Sequence, residues 1–167
     1  MEMTTKDQYA GIRLENQLCF PLYACAKEVV RQYRKPLEEL GLTYTQYLVM
    51  MVLWQFGGMT EGELGKKLCL DSGTLAPLLK RLEKQGLVNR VRPESNERKL
   101  FLSLTEQGQR LREKAVAVPA AMQGCIDLEP EELYTLKRLL DKALSRMKTE
   151  EQTDKGVNDY VQRQESH

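Results

Sequence analysis

The sequence predicts a mainly α fold that carries one β-hairpin as a wing. Three observations lead there. Apolar residues recur every three to four positions along most of the 167 residues, the spacing of a buried helix face. The spacing gives way to short alternating runs only at Leu87-Val-Asn-Arg-Val-Arg92 and Lys99-Leu-Phe-Leu-Ser-Leu104. Capping boxes at Thr43-Tyr-Thr-Gln46 and Thr60-Glu-Gly-Glu63 then divide the helical part into short pieces.

From Tyr9 to about Leu40 the series Leu14, Leu18, Leu22, Ala26, Val29, Tyr33 predicts one long helix, punctuated at its end by Pro36 and Gly41. Pro21 is awkward inside it, because proline there frees the carbonyl of Gln17. Thr43 opens a second helix through Leu48, Met51, Val52 and Leu53, which stops before Gly57-Gly58. Thr60 opens a short third helix, and Cys69-Leu70-Asp71 links it to a fourth. The fourth buries Leu75, Leu78, Leu79 and Leu82 and stops at Gly86. Pro77 lies beyond its first turn and predicts an irregular start. The hairpin follows, with Pro93-Glu-Ser-Asn-Glu-Arg98 as a charged tip. Thr105 caps a fifth helix through Leu111, Ala115 and Val118, bent near Pro119. Pro130 with Glu131 and Glu132 opens a sixth, through Leu133, Leu136, Leu139, Leu140, Leu144 and Met147. Residues 149–167 are polar and are expected to form a flexible tail.

Charge is distributed unevenly behind a net +1. Between Asp71 and Leu100 seven Lys/Arg face four acids, whereas Glu150–His167 holds five acids and two bases. The polar N-terminus lacks an apolar signal core and no apolar run is long enough to span a bilayer, so a cytoplasmic protein without membrane contact is expected. The four cysteines, Cys19, Cys25, Cys69 and Cys125, have no C-x-x-C spacing, and the one histidine is His167. No metal site and no cofactor are therefore expected, nor a resting disulfide framework in a reducing cytosol.

Short helices followed by a hairpin make residues 43–104 a winged helix-turn-helix. Its last helix would enter the major groove of double-stranded DNA with its N-terminal part against base edges. Ser72, Thr74, Lys80 and Arg81 are the candidate groove or phosphate contacts. Arg92, Arg98 and Lys99 on the wing suit a narrow, electronegative minor groove. The competing reading is a merely solvated helix face; the order of elements and the charge asymmetry together favour DNA. The leucines of residues 105–148 exceed what one small winged domain buries. With residues 9–40 they are expected to form an intertwined homodimer, ordinary intramolecular packing being the alternative.

LGKKLCLDSGTLAPLLKRLEKQGLVNRVRPESNERKLFLSLTEQG resembles the winged-helix core of the MarR family of bacterial transcription regulators. LENQLCFPLY, with the tyrosines at 33 and 44, is similar to the organic-hydroperoxide-sensing, OhrR-type branch. The resemblance spans residues 10 to 148. It departs at Asn96, where family members often carry aspartate; Arg98 stays in place, but an uncharged residue at 96 cannot form a salt bridge from that position. It implies an obligate homodimer that reads a palindromic operator, with organic hydroperoxides as inducers.

The resemblance also assigns the sulfur chemistry. On position alone Cys19 is a small buried hydrophobe; within this branch it is the redox-sensing thiol. The thiolate is the nucleophile that opens the O–O bond, and neutral donors stabilise it without burying a cation. Tyr33 and Tyr44 of the second subunit are the implied donors, with Tyr23, one turn from Cys19, a weaker third; each is otherwise an ordinary amphipathic core residue. Phe20, Leu18 and Leu22 would favour organic peroxides over hydrogen peroxide. Two-cysteine members resolve the sulfenic acid across the dimer with a second cysteine about a hundred residues on, which here is Cys125. Cys25 lies too far round the helix to pair with Cys19, and Cys69 is expected to be packing. The expected function is a reversible repressor, not an enzyme. A repressor released by a small aromatic ligand is the alternative, and a thiol peroxidase, which would leave the basic wing unexplained, a remote one.

Overall fold

The computed structural model describes residues 9–93 and 99–164, with side chains through Met147. The wing tip, including Asn96 and Arg98, lies outside the described residues. Two single-turn 3-10 helices, Ala10–Ile12 and Leu14–Asn16, precede α1 (Cys19–Gln32) and α2 (Arg34–Glu38). Then come α3 (Tyr44–Phe56), β1 (Met59–Thr60), α4 (Glu61–Leu68) and α5 (Ser72–Lys84). The wing strands β2 (Val88–Val91) and β3 (Phe101–Leu104) lead to α6 (Glu106–Ala115), α7 (Ala117–Ala121) and α8 (Pro130–Gln164).

The long helix expected over Tyr9–Leu40 is thus broken. Gln17 is extended (φ −96°, ψ 116°), and the continuous α-helix begins only at Cys19. Pro21 becomes the third residue of α1, in the first turn, where a backbone N–H has no intrahelical partner to lose. It therefore starts the helix and does not kink it. Pro119 acts likewise: lacking an N–H, it leaves the Ala115 carbonyl without its i+4 donor, and α6 ends at that residue. The break falls at Val116, three residues before the proline near which the bend was expected.

Both predicted capping boxes are present. Thr43 accepts from the Gln46 amide while its own N–H donates to Gln46 Oε1 at 2.8 Å, and Thr60 and Glu63 repeat the pattern. The Gln46 side chain is buried and reaches on to Gln85, whose amide bonds the Gly41 carbonyl at 3.0 Å. That chain of amides ties the start of α3 to the end of α5. Pro77 does sit inside α5, but the helix is continuous from Ser72, so the expected irregular turn is absent. The cost is confined to the Gly73 carbonyl, which loses its i+4 donor.

One strand is absent from the sequence reading. Met59–Thr60 pairs antiparallel with β3 to give a three-stranded sheet of order β1-β3-β2. Two residues are too few to alternate visibly. The sheet closes over a core of Val49, Met50, Leu53, Leu64, Leu75, Leu79, Leu82, Val88 and Leu102, each at most 1% exposed. Leu37, Leu40, Ala115, Val118 and Met122 join that core, so it extends past residues 43–104. Gly108 makes one of its closest seams. A Cβ there would overlap the Leu87 carbonyl, and the Gly108 carbonyl accepts from Trp54 Nε1 at 2.8 Å.

The chain divides into one compact unit ending at Cys125 and a second starting at Ile126. In the second, α8 continues to Gln164 through the stretch expected to be a tail. Its residues Leu133, Leu136, Leu140, Leu144 and Met147 follow helical spacing and are 36% to 66% exposed. In the first unit, α1 has no buried residue at all.

Candidate functional site

Cys19 is the first residue of α1, and Leu18 at the N-cap offers no side-chain hydrogen bond. The thiol therefore stands at the start of a helix whose first backbone N–H groups have no intrahelical partner. This placement was not visible in the apolar spacing, which continues unbroken from Leu14 through Leu22. Cys19 is exposed, as are Leu18, Phe20, Leu22 and Tyr23 around it. Tyr23 follows one turn later on α1, with Lys27 Nζ 6.0 Å from its ring centroid.

A second cluster forms at the far end of the same helix. Tyr33 is the residue between α1 and α2, and Tyr44 is the first residue of α3. Their rings lie 4.8 Å apart, and Tyr33 also stands 6.1 Å from the buried Tyr47, a member the sequence reading missed. Burial pushes all three phenols above the ordinary tyrosine range. For Tyr33 the neighbouring Tyr44, Tyr47 and Cys125 add to that shift. Cys125 packs half-buried against the same core as Tyr33 and Tyr44, after Gly124 (φ +76°) turns the chain. Gln32 Nε2, on the last residue of α1, donates to the Cys125 carbonyl at 3.2 Å.

Tyr33 and Tyr44 therefore meet within one chain, with the Cys125 carbonyl bonded to the residue before Tyr33, whereas Cys19 does not join them. α1 has 14 residues, and at 1.5 Å per residue it holds Cys19 about 20 Å from Tyr33. Cys25 lies on the same helix, exposed. Cys69 is corrected: it is exposed in the left-handed region (φ 55°) as the C-cap of α4, where its N–H bonds the Gly65 carbonyl, and is not core packing.

The second candidate surface is α5 with the wing. Gly65 lets α4 and α5 approach, since a Cβ there would press on the Leu70 carbonyl and Leu75. Asp71 caps α5, accepting from the Thr74 amide at 2.8 Å and the Thr74 hydroxyl at 2.9 Å. These bonds hold the Asp71 carboxyl below its ordinary range. Thr74 is consequently engaged in the cap, and only its spare lone pairs face outward. Leu75, Leu78, Leu79 and Leu82 point inward as expected, and Ser72, Lys80 and Arg81 are exposed. Arg92 and Lys99 are exposed on the wing, and Arg98 is outside the described residues. Arg90, half-buried, is committed to Glu83 at 2.9 Å. Among the described residues no group of His, Cys, Asp or Glu is arranged to hold a metal ion, and no helix is long and apolar enough to cross a membrane.

Residues 42–100 match the model of the MarR family. The organic hydroperoxide resistance transcriptional regulator of Bacillus subtilis (strain 168) is 45% identical over 135 residues, covering 81% of this chain and 92% of that one. The structure of reduced AbfR bound to DNA superimposes with a TM-score of 0.68 at 37% identity, covering 85% of this chain and 99% of that one. Disulfide-formed AbfR gives a TM-score of 0.57 at 37% identity, covering 84% and 98%; AbfR is a protein of Staphylococcus epidermidis. Identity at this level across most of both chains shows that the chain belongs to the MarR family.

Proposed function

We propose that the chain is a thiol-based redox-sensing repressor, a cytoplasmic homodimer that binds palindromic operator DNA when reduced and leaves it after reaction with an organic hydroperoxide. The observation that carries the two-subunit site is the length of α1. It keeps Cys19 about 20 Å from Tyr33 of its own chain, which supports a site shared between two copies. The uncovered apolar faces of α1 and α8 supply the surface for that copy. The hydroperoxide regulator among its relatives and the reduced, DNA-bound and disulfide-formed states of AbfR support the same reading.

In the reduced dimer the Cys19 thiolate accepts hydrogen bonds from Tyr33 and Tyr44 of the second subunit. Burial of these phenols keeps their protons in place at neutral pH, so they serve as donors. The thiolate sulfur attacks one peroxide oxygen and the O–O bond breaks. Cys19 becomes a sulfenic acid, and the leaving alkoxide takes a proton to form an alcohol. The Cys125 thiol of the second subunit then attacks the Cys19 sulfur and expels the hydroxyl as water, giving an intersubunit disulfide. This bond disfavours the spacing at which two α5 helices fit successive grooves, and DNA is released. The peroxide is consumed stoichiometrically, as befits a regulator and not a turnover catalyst.

Treating the reduced dimer with cumene hydroperoxide and following operator binding beside non-reducing electrophoresis tests this. Wild type should give a disulfide-linked dimer and lose DNA; Cys19→Ser should keep DNA, and Cys125→Ser should oxidise without cross-linking. If Cys19→Ser still releases DNA, the redox trigger is wrong.

A further inference from the structure

We propose that Gln32 is a positioning residue for disulfide resolution: its side-chain amide clamps the loop that carries Cys125 against Tyr33. The inference rests on the repressor reading above and adds a residue outside its redox chemistry. Gln32 is the last residue of α1, and its Nε2 donates to the Cys125 carbonyl at 3.2 Å across 93 residues of sequence. The loop it holds needs holding. α7 ends at Ala121, Gly124 follows with φ +76°, and the Cys125 amide reaches back to the Met122 carbonyl at 3.2 Å. Glycine adopts that conformation without strain, and the clamp acts on the very peptide that bears the thiol.

An ion pair lies one turn before the clamp. Glu28 lies one turn earlier on α1, and its carboxylate is held below the ordinary glutamate range by Arg31 first and by the Gln32 side chain to a lesser degree. Arg31 grips Glu28 through Nε at 2.8 Å. Because Gln32 immediately precedes Tyr33, the hydrogen bond brings the loop that bears the resolving thiol to the helix end where the backbone already holds the donor tyrosine. A thiolate arriving from the second subunit then finds both at once.

The chemical consequence is a choice between two fates of the Cys19 sulfenic acid. It condenses with the Cys125 thiol, forming S–S and releasing water, or a second hydroperoxide oxidises it to sulfinic acid and is itself reduced to the alcohol. Holding Cys125 in place favours the first. It has no bearing on the attack of Cys19 on the first peroxide.

The test uses the full-length dimer as wild type, Gln32→Leu, which keeps the bulk and removes the donor, and Gln32→Lys, which restores one. Cumene hydroperoxide is added, and three quantities are followed. These are sulfenic acid formation by a trapping reagent, Cys19–Cys125 cross-linking on non-reducing gels, and sulfinic acid by mass spectrometry. Gln32→Leu should form sulfenic acid at the wild-type rate but cross-link about tenfold more slowly and accumulate sulfinic acid. Gln32→Lys should recover part of the cross-linking rate. Wild-type cross-linking in Gln32→Leu overturns the clamp, and so does an equal slowing of both steps, which would mark a general structural role. Failure of the underlying reading is separate: wild type itself would then form no Cys19–Cys125 bond.

Discussion

A phenol donates to a neighbouring anion only while it keeps its proton, and burial of Tyr33 and Tyr44 secures that at any physiological pH. Removing one hydroxyl leaves the other donor, so the substitutions differ in effect. Tyr33→Phe or Tyr44→Phe should slow Cys19 oxidation by roughly threefold to tenfold, and the double variant by tenfold or more, measured by stopped-flow with an organic hydroperoxide. Tyr47→Phe should change the rate little, because Tyr47 is enclosed by the core on its own chain. Sequence carried the tyrosines at 33 and 44 only through the resemblance of a whole motif; their 4.8 Å contact joins residues that no periodicity connects. Gln32 carried no signal at all, since its partner lies 93 residues away.

Elements were legible where their signals are local. Thr43, Thr60, Asp71 and Thr105 each cap the helix that follows them, because a capping residue and the N–H that donates to it lie within one turn. The start of α1 was missed because Leu14, Leu18 and Leu22 hold helical spacing across a segment that is not α-helical. The prolines held the better signal. Pro21, Pro36 and Pro119 are each the third residue of a helix and Pro130 the first, so read as start marks they locate α1, α2, α7 and α8. Pro77 alone among them falls in a helix interior.

Two predictions belong to this scale. The Asp71 carboxyl is held below its ordinary 3.8, so the cap contributes stability in full above that value and loses it as pH falls through the lower folded value. Asp71→Ala should lower the melting temperature by roughly a few degrees at neutral pH, and by less in strong acid, by calorimetry. Gly108→Ala should be harsher, about 1–3 kcal/mol in urea unfolding, because backbone and not a movable side chain blocks the new methyl.

Across the whole molecule, the exposed stripe of α8 and an α1 with no buried residue mean that one chain is an incomplete body. Leu140→Glu with Leu144→Glu should yield monomers by sedimentation. Operator affinity should then fall by roughly a hundredfold or more, because two half-sites are no longer read by one particle. Lys80→Ala and Arg81→Ala should each lower the slope of log affinity against log salt by about one if each meets a phosphate.

The length of α1 has a bearing on counting. If every sensor draws its sulfur from one chain and its tyrosines and resolving cysteine from the other, a dimer owns two sensors and no chain owns one. Mixed dimers of a Cys19→Ser chain with a Cys125→Ser chain then contain one whole sensor and one that lacks both sulfurs. Two chains that are each unable to cross-link alone would regain the bond together, in half the sites, and such complemented dimers would reveal whether one closed bond is enough to empty an operator.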